Sequence, residues 1–89
     1  MITIVSAIYN GLDVNQLMWE SFKKFHSEIP VKLIIKDNGS FDGSLEYFNS
    51  ISDKVVIGER LSHGKSLDLL CDMVETEYTM VVDNDIEFT

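Results

Sequence analysis

Apolar residues recur along the chain with two alternating spacings, which predict strands separated by helices. Short stretches that are almost continuously apolar and β-branched are typical of buried strands. Between them, apolar residues recur every three or four positions, as on one face of a helix. The strands are expected at residues 2–8, 31–35, 54–57 and 78–82. The helices are expected at residues 13–27, at 42–51 and from 64 onward.

The order of these elements is β-α-β-α-β-α-β. Strands that alternate with helices predict a parallel sheet with right-handed crossovers. The fold class is therefore α/β: a Rossmann-like, three-layer α/β/α arrangement around a parallel four-stranded sheet. Helical spacing also predicts what each helix buries. Trp19 falls beside the apolar stripe of the first helix, and Cys71 is expected in the core. The stripe itself comprises Val14, Leu17, Met18, Phe22 and Phe25.

Length and charge exclude several classes of function. With 89 residues the chain forms at most one small domain. Asp and Glu number 15 against 7 Lys and Arg, a net charge of −8, so a nucleic-acid partner is not expected. No apolar run approaches the roughly 18 residues of a membrane span, and one cysteine excludes an internal disulfide framework. We expect a cytoplasmic protein. A divalent cation could still bring an anionic ligand to so acidic a surface.

Three of the predicted strands end in polar residues. Tyr9 and Asn10 follow the first strand, Asp37 and Asn38 the second, and residues 83–85 the fourth. Parallel strands bring their carboxyl ends to one edge of the sheet, where ligands bind. Turns and helix caps would explain any one of these groups. They do not require carboxylates at several strand ends, so a binding site at this edge is the favoured interpretation.

The sequence Asp83–Asn84–Asp85 is the sharpest of these signals. Residues i and i+2 of an extended chain face the same side, so the two carboxylates repel unless a cation lies between them. Mg²⁺ typically takes one or two protein carboxylates together with phosphate oxygens. The pair therefore suits a metal bound to a diphosphate. Glu87 continues the alternation and is expected to be a solvated acid.

The segment Gly64–Lys65–Ser66 does not form a phosphate-binding loop of the Walker type, because Glu59 stands where that motif needs glycine. A weaker role remains, since the start of a helix attracts anions and Lys65 could reach a nearby phosphate. The alternative is a solvated lysine.

Four segments, in this order, resemble the amino-terminal half of an inverting glycosyltransferase of the GT-A fold, family 2 type. They are IVSAIYN at residues 4–10, DNGSFDG at 37–43, GK at 64–65 and DND at 83–85. The second segment is the most specific, and the similarity covers essentially the whole chain. This resemblance implies hexosyl transfer from a nucleotide-diphosphate sugar, with a UDP-sugar as the expected donor.

The resemblance also implies roles for single residues. Tyr9 would lie against the nucleotide base, and Asp37 would hydrogen-bond that base. Asp85 would bind Mn²⁺ or Mg²⁺ at the diphosphate, and Asp83 would contact the ribose or sugar and take part in the metal site. Lys65 would lie near the nucleotide pocket.

In this family the acceptor site and the general base follow the D-x-D segment. Residues 1–89 thus resemble a nucleotide-sugar-binding half without the acceptor half, and we expect no catalytic residue in the chain and no turnover by it alone. The open sheet edge predicts a homodimer. The alternative is a non-catalytic module that binds a nucleotide or a metal. A receiver-like phosphoryl-transfer domain would need an Asp pair where Tyr9 and Asn10 stand.

Overall fold

Strands and helices alternate along the described part of the chain, which is residues 1–26 and 28–82 of a computed structural model. The strands are β1 Ile2–Ile8, β2 Val31–Asp37, β3 Lys54–Val56 and β4 Tyr78–Val81. The helices are α1 Leu12–His26, α2 Ser44–Ile51 and α3 His63–Asp72. This confirms the predicted order. Among the described helices, none has the length and hydropathy that crossing a bilayer requires.

The strands form one parallel sheet in the order β3-β2-β1-β4. Ile8 at the end of β1 is paired with Asp37 at the end of β2, so these two strands end level with each other. Asn38 N donates to Ile8 O at 2.9 Å and extends the ladder past both ends. The loops after β1 and β2 therefore leave the sheet side by side.

Helices cover both faces of the sheet, which confirms the three-layer arrangement. On one face α1 and α2 bury Met18, Phe22 and Phe48 against the sheet residues Ile4 and Leu33. On the other face α3 buries Leu70 against Val5 and Ile34. Alternate residues of a strand point to opposite faces. The near-continuous apolar runs of β1 and β2 follow from this, because both of their faces are covered.

The buried face of α1 is rotated from the predicted one. Met18 and Phe22 are buried as expected, but Trp19 is buried too and stacks on Phe22 with ring centroids 5.6 Å apart. The buried set begins at Asn15 and follows the spacing i, i+3, i+4, i+7. Asn15 can be buried because its Nδ2 donates to Asn10 O at 3.0 Å and to Ser44 Oγ at 2.9 Å. Three residues of the predicted stripe are exposed instead: Val14, Leu17 and Phe25.

The prediction that Cys71 lies in the core is also wrong, since its side chain is exposed. The buried residues of α3 are Ser66 and Leu70. Ser66 Oγ accepts a hydrogen bond from Asn38 Nδ2 at 3.0 Å, which makes the burial of a hydroxyl acceptable. A polar residue with a partner thus occupies the inward position, and the helix turns Cys71 outward.

Candidate functional site

The carboxylate of Asp37 closes the turn that follows β2. Asp37 is only 3% exposed, and its two oxygens accept from Ser40 N at 3.2 and 3.4 Å. The turn-forming role of an aspartate at this point is therefore present. The predicted hydrogen bond from this side chain to a base is a separate property, which stays a prediction.

Reciprocal hydrogen bonds join the loop after β1 to the loop after β2. Asn10 N donates to Ser40 Oγ at 2.8 Å, and Phe41 N donates to Asn10 Oδ1 at 2.8 Å. Asn10 has a φ of 56°, a left-handed conformation that asparagine tolerates better than most residues. The sheet edge at these two strands is therefore a connected unit with defined geometry.

Tyr9 lies at this edge with the guanidinium of Arg60 over its ring. The guanidinium carbon of Arg60 is 4.3 Å from the ring centroid of Tyr9, within the range of a cation–π contact. On the Asp37 side, Phe41 meets Tyr9 edge-to-face, with centroids 6.2 Å apart. Tyr9 is 43% exposed and Phe41 is 79% exposed. This edge therefore presents to solvent the aromatic rings of Tyr9 and Phe41 and the positive charge of Arg60.

A cavity of about 200 Å³ opens beside this pair. Its lining combines apolar strand-end side chains with hydrogen-bonding and cationic groups, as ligand pockets usually do. The lining residues are Ala7, Ile8, Tyr9, Asn38, Arg60, Leu61 and His63. Of the residues predicted from the sequence, Tyr9 lines the cavity, whereas Asp37 and Lys65 are not in its wall.

Asn38 holds the loop between β3 and α3 against the sheet. Its Oδ1 accepts from Leu61 N at 3.0 Å, while its Nδ2 donates to Ser66 Oγ at 3.0 Å. Asn38 is 7% exposed, so both bonds lie largely out of water. The cavity wall at Leu61 is thereby fixed to the end of β2.

Lys65 lies in the first turn of α3, with an exposed side chain. Its backbone N donates to Ser62 Oγ at 3.3 Å, which caps the helix. Ser62 rather than Gly64 thus sets the start of α3, one residue earlier than predicted.

Arg60 is the site residue that sequence reasoning missed, whereas Asn38 was named at the end of the second strand without a role of its own. Arg60 belongs to no motif and follows the short strand β3. It is, however, the single arginine of a chain with net charge −8. A single arginine that follows a strand in so acidic a chain could have predicted a contact with an anionic or aromatic ligand.

The predicted metal ligands Asp83 and Asp85 lie outside the described residues. Val82, just before them, is buried, and its N donates to Val5 O at 3.0 Å, so β4 leads toward the same edge. Within residues 1–26 and 28–82, no group of three or more His, Cys, Asp or Glu side chains could hold a metal ion.

No family model matches this sequence, and a search of curated proteins finds no match. The fold does match solved structures of glycosyltransferases. S. aureus TarS 1-349 has a TM-score of 0.79 at 20% identity, over 97% of this chain and 28% of TarS 1-349. The complex of TarS 1-349 with UDP gives 0.76 at 20% identity, over 94% of this chain and 27% of that chain.

A mannosyltransferase of Pyrobaculum calidifontis, in complex with GDP-Man and Mn²⁺, also matches the fold. Its TM-score is 0.76 at 16% identity, over 97% of this chain and 28% of the mannosyltransferase. At identities this low, the structural similarity shows the fold alone. The chain has a glycosyltransferase fold. It spans less than a third of the length of these glycosyltransferases.

Proposed function

We propose that this chain is the nucleotide-sugar-binding part of a metal-dependent, inverting glycosyltransferase that transfers a hexosyl group, with a UDP-sugar as donor. The observation that carries the proposal is the stacking of Arg60 on Tyr9 in the wall of the cavity at the carboxyl edge. Its support is the fold shared with TarS, which has been solved with UDP, and with the mannosyltransferase, solved with GDP-Man and Mn²⁺.

A nucleotide base is the natural occupant of this cavity. The Arg60 guanidinium already lies over one face of the Tyr9 ring, so a base would stack on the outer face of the guanidinium and contact the part of the Tyr9 ring that lines the cavity. Asp37 lies at the end of the neighbouring strand, and an ionised carboxylate has about four lone-pair sites for hydrogen bonds. One oxygen can stay on Ser40 N while the other accepts from a base N–H. Tyr9 and Arg60 would thus give affinity, and Asp37 would give selectivity for the base.

The diphosphate needs positive charge that the described edge scarcely provides. Arg60 is the cation in the cavity wall, and the chain as a whole carries −8. In this proposal Asp83 and Asp85 would hold Mn²⁺ or Mg²⁺, which would supply the positive charge that a departing nucleoside diphosphate needs. Asp83 also contacts the ribose or sugar, and Lys65 adds a cation near the phosphates.

Binding without turnover is the expected behaviour of the isolated chain. The resemblance puts the acceptor site and the general base after D-x-D, so the chain would bind the donor without transferring the sugar.

β4 is an outer strand of the sheet, and its side chains Tyr78 and Val81 are 65% and 48% exposed. This exposure supports the proposal that the chain self-associates along β4.

Amide chemical-shift mapping of a UDP titration with Mg²⁺ present tests the proposal, with variants Arg60→Ala and Lys54→Ala in parallel. Lys54 starts β3 at the opposite edge of the sheet, so its variant makes the same change in charge away from the cavity. We expect shifts around Tyr9, Asn38 and Leu61, and about tenfold weaker binding by Arg60→Ala alone, as the loss of a cation–π contact between the guanidinium and the bound base would give. Shifts elsewhere, or equal effects of the two variants, would contradict the proposal.

A further inference from the structure

Lys36 is a buried cation for which the proposed site has so far no role. Its side chain is 1% exposed, and burying an ammonium group is costly unless it is well hydrogen-bonded. Lys36 Nζ donates to Asp37 O at 3.1 Å and to Glu59 O at 3.0 Å. One ammonium group therefore joins the end of β2 to the loop between β3 and α3.

The two residues held by β2 flank Arg60 directly. Lys36 holds Glu59 through its carbonyl, and Asn38 holds Leu61 through its amide nitrogen. Ile57, the apolar residue at the start of this loop, is 64% exposed and does not anchor it. Gly58 has a φ of +136°, where a side chain would be strained. Hydrogen bonds from β2 are therefore what fixes the backbone on both sides of Arg60.

We propose that Lys36 is a positioning residue for the nucleotide site: by fixing the carbonyl of Glu59, it holds the Arg60 guanidinium over the ring of Tyr9. A hydrogen bond from a charged donor is about twice as strong as one between neutral groups, which suits a contact that must order an exposed loop. The effect on nucleotide binding rests on the proposed function, whereas the placement of Arg60 is a property of the free protein.

The test compares Lys36→Met with Lys32→Met. Methionine keeps an unbranched apolar stem of similar reach and removes the terminal nitrogen that donates. Lys32 lies on the same strand and face but is exposed near the other end. The first readout is the NMR shift of the Arg60 side-chain protons without ligand, which the ring current of Tyr9 moves upfield. We expect Lys36→Met to lose this upfield shift and Lys32→Met to keep it. Retention of the shift in Lys36→Met overturns the proposal.

The second readout is UDP affinity, measured with Mg²⁺ present, in a double-mutant cycle with Arg60→Ala. We expect Lys36→Met to weaken binding about as much as Arg60→Ala does, roughly tenfold, and the double variant to be no weaker than Arg60→Ala. A loss that persists unchanged in the Arg60→Ala background would mean that Lys36 does not act through Arg60, and overturns the proposal.

Two further outcomes stay decisive. If the wild-type chain binds no UDP, the proposed function fails, while the Arg60 shift still tests the role of Lys36. If Lys36→Met does not fold, the NMR spectrum of the wild-type protein tests the role of Lys36 instead. The proposal requires a Lys36 ammonium signal protected from solvent exchange, with nuclear Overhauser effects to the Arg60 amide. Absence of that signal overturns it.

Discussion

Asp42 Oδ2 lies 2.9 Å from the backbone N of Leu12, so a carboxylate from the loop after β2 caps the first turn of α1. Asp42 Oδ1 also accepts from Ser44 N at 3.0 Å, at the start of α2. One exposed side chain thus connects the beginnings of two helices. A hydrogen bond from the Ser44 side chain, with smaller contributions from the backbone N–H groups of Leu12 and Ser44, lowers the pKa of Asp42 from 3.8 to about 2.

The lowered pKa of Asp42 predicts acid sensitivity. The ionised carboxylate is favoured in the folded protein, so its stabilising effect is fully present above pH 3.8 and is lost as the pH falls toward about 2. We expect Asp42→Asn to be less stable than wild type in urea unfolding at pH 7, with the difference shrinking over that window. Asp68→Asn, which changes an exposed acid on α3, is the control. A difference that does not depend on pH would contradict this role.

Tyr47 predicts sensitivity at the alkaline end. Burial, with a smaller contribution from Glu20, raises the pKa of Tyr47 above its ordinary 10.0. The folded chain therefore keeps the phenol proton where the unfolded chain loses it, and stability falls as the pH rises above 10.0. Between neutral and alkaline pH, the free energy of unfolding should fall less in Tyr47→Phe than in wild type. An equal fall in both proteins would rule out Tyr47 as the cause.

Gly43 should tolerate alanine much less well than Gly64 does. Gly43 has a φ of +99°, and a Cβ there would lie 3.3 Å from Leu12 Cδ2. Gly64 has open space around it and lies in α3. We expect Gly43→Ala to cost about 1–2 kcal/mol, and Gly64→Ala to gain up to about 1 kcal/mol from helix propensity. Thermal and urea unfolding check both, and a reversed order would contradict this backbone geometry.

The elements and their topology could be read from the sequence because the apolar spacings are strong and the crossovers follow a fixed hand. Which face of each helix is buried could not be read from the sequence. In α1 the inward stripe begins with Asn15, which hydropathy counts as outward, and Trp19 belongs to that stripe. Asn15 is buried because Asn10 and Ser44 accept its hydrogen bonds. Periodicity alone cannot detect partners that come from other loops.

The same limit applies to the candidate site. Tyr9 and Asp37 could be found because they end strands, and strand ends converge. The position of Arg60 over Tyr9 could not be found, because it depends on hydrogen bonds that Lys36 and Asn38 make to its neighbours in the loop. Such contacts join residues more than twenty positions apart and leave no local pattern.

The exposure of Cys71 gives a direct chemical check on α3. An exposed thiol on a helix surface should react with a thiol reagent in the native protein about as fast as in the unfolded protein. Cys71→Ser should leave the unfolding free energy within about 0.5 kcal/mol of wild type, as surface changes usually do. Protection of the native thiol by orders of magnitude would restore the core position that the sequence predicted.

Calorimetric titration of UDP into the chain, with and without Mn²⁺, tests the central claim most directly. Asp85→Ala removes the proposed metal ligand, and Glu87→Ala removes the same charge two residues later. The account predicts binding that depends on Mn²⁺, weakened at least tenfold by Asp85→Ala and unchanged by Glu87→Ala. A folded wild-type chain that binds no UDP with Mn²⁺ present would contradict the assignment of the carboxyl edge as a nucleotide-sugar site.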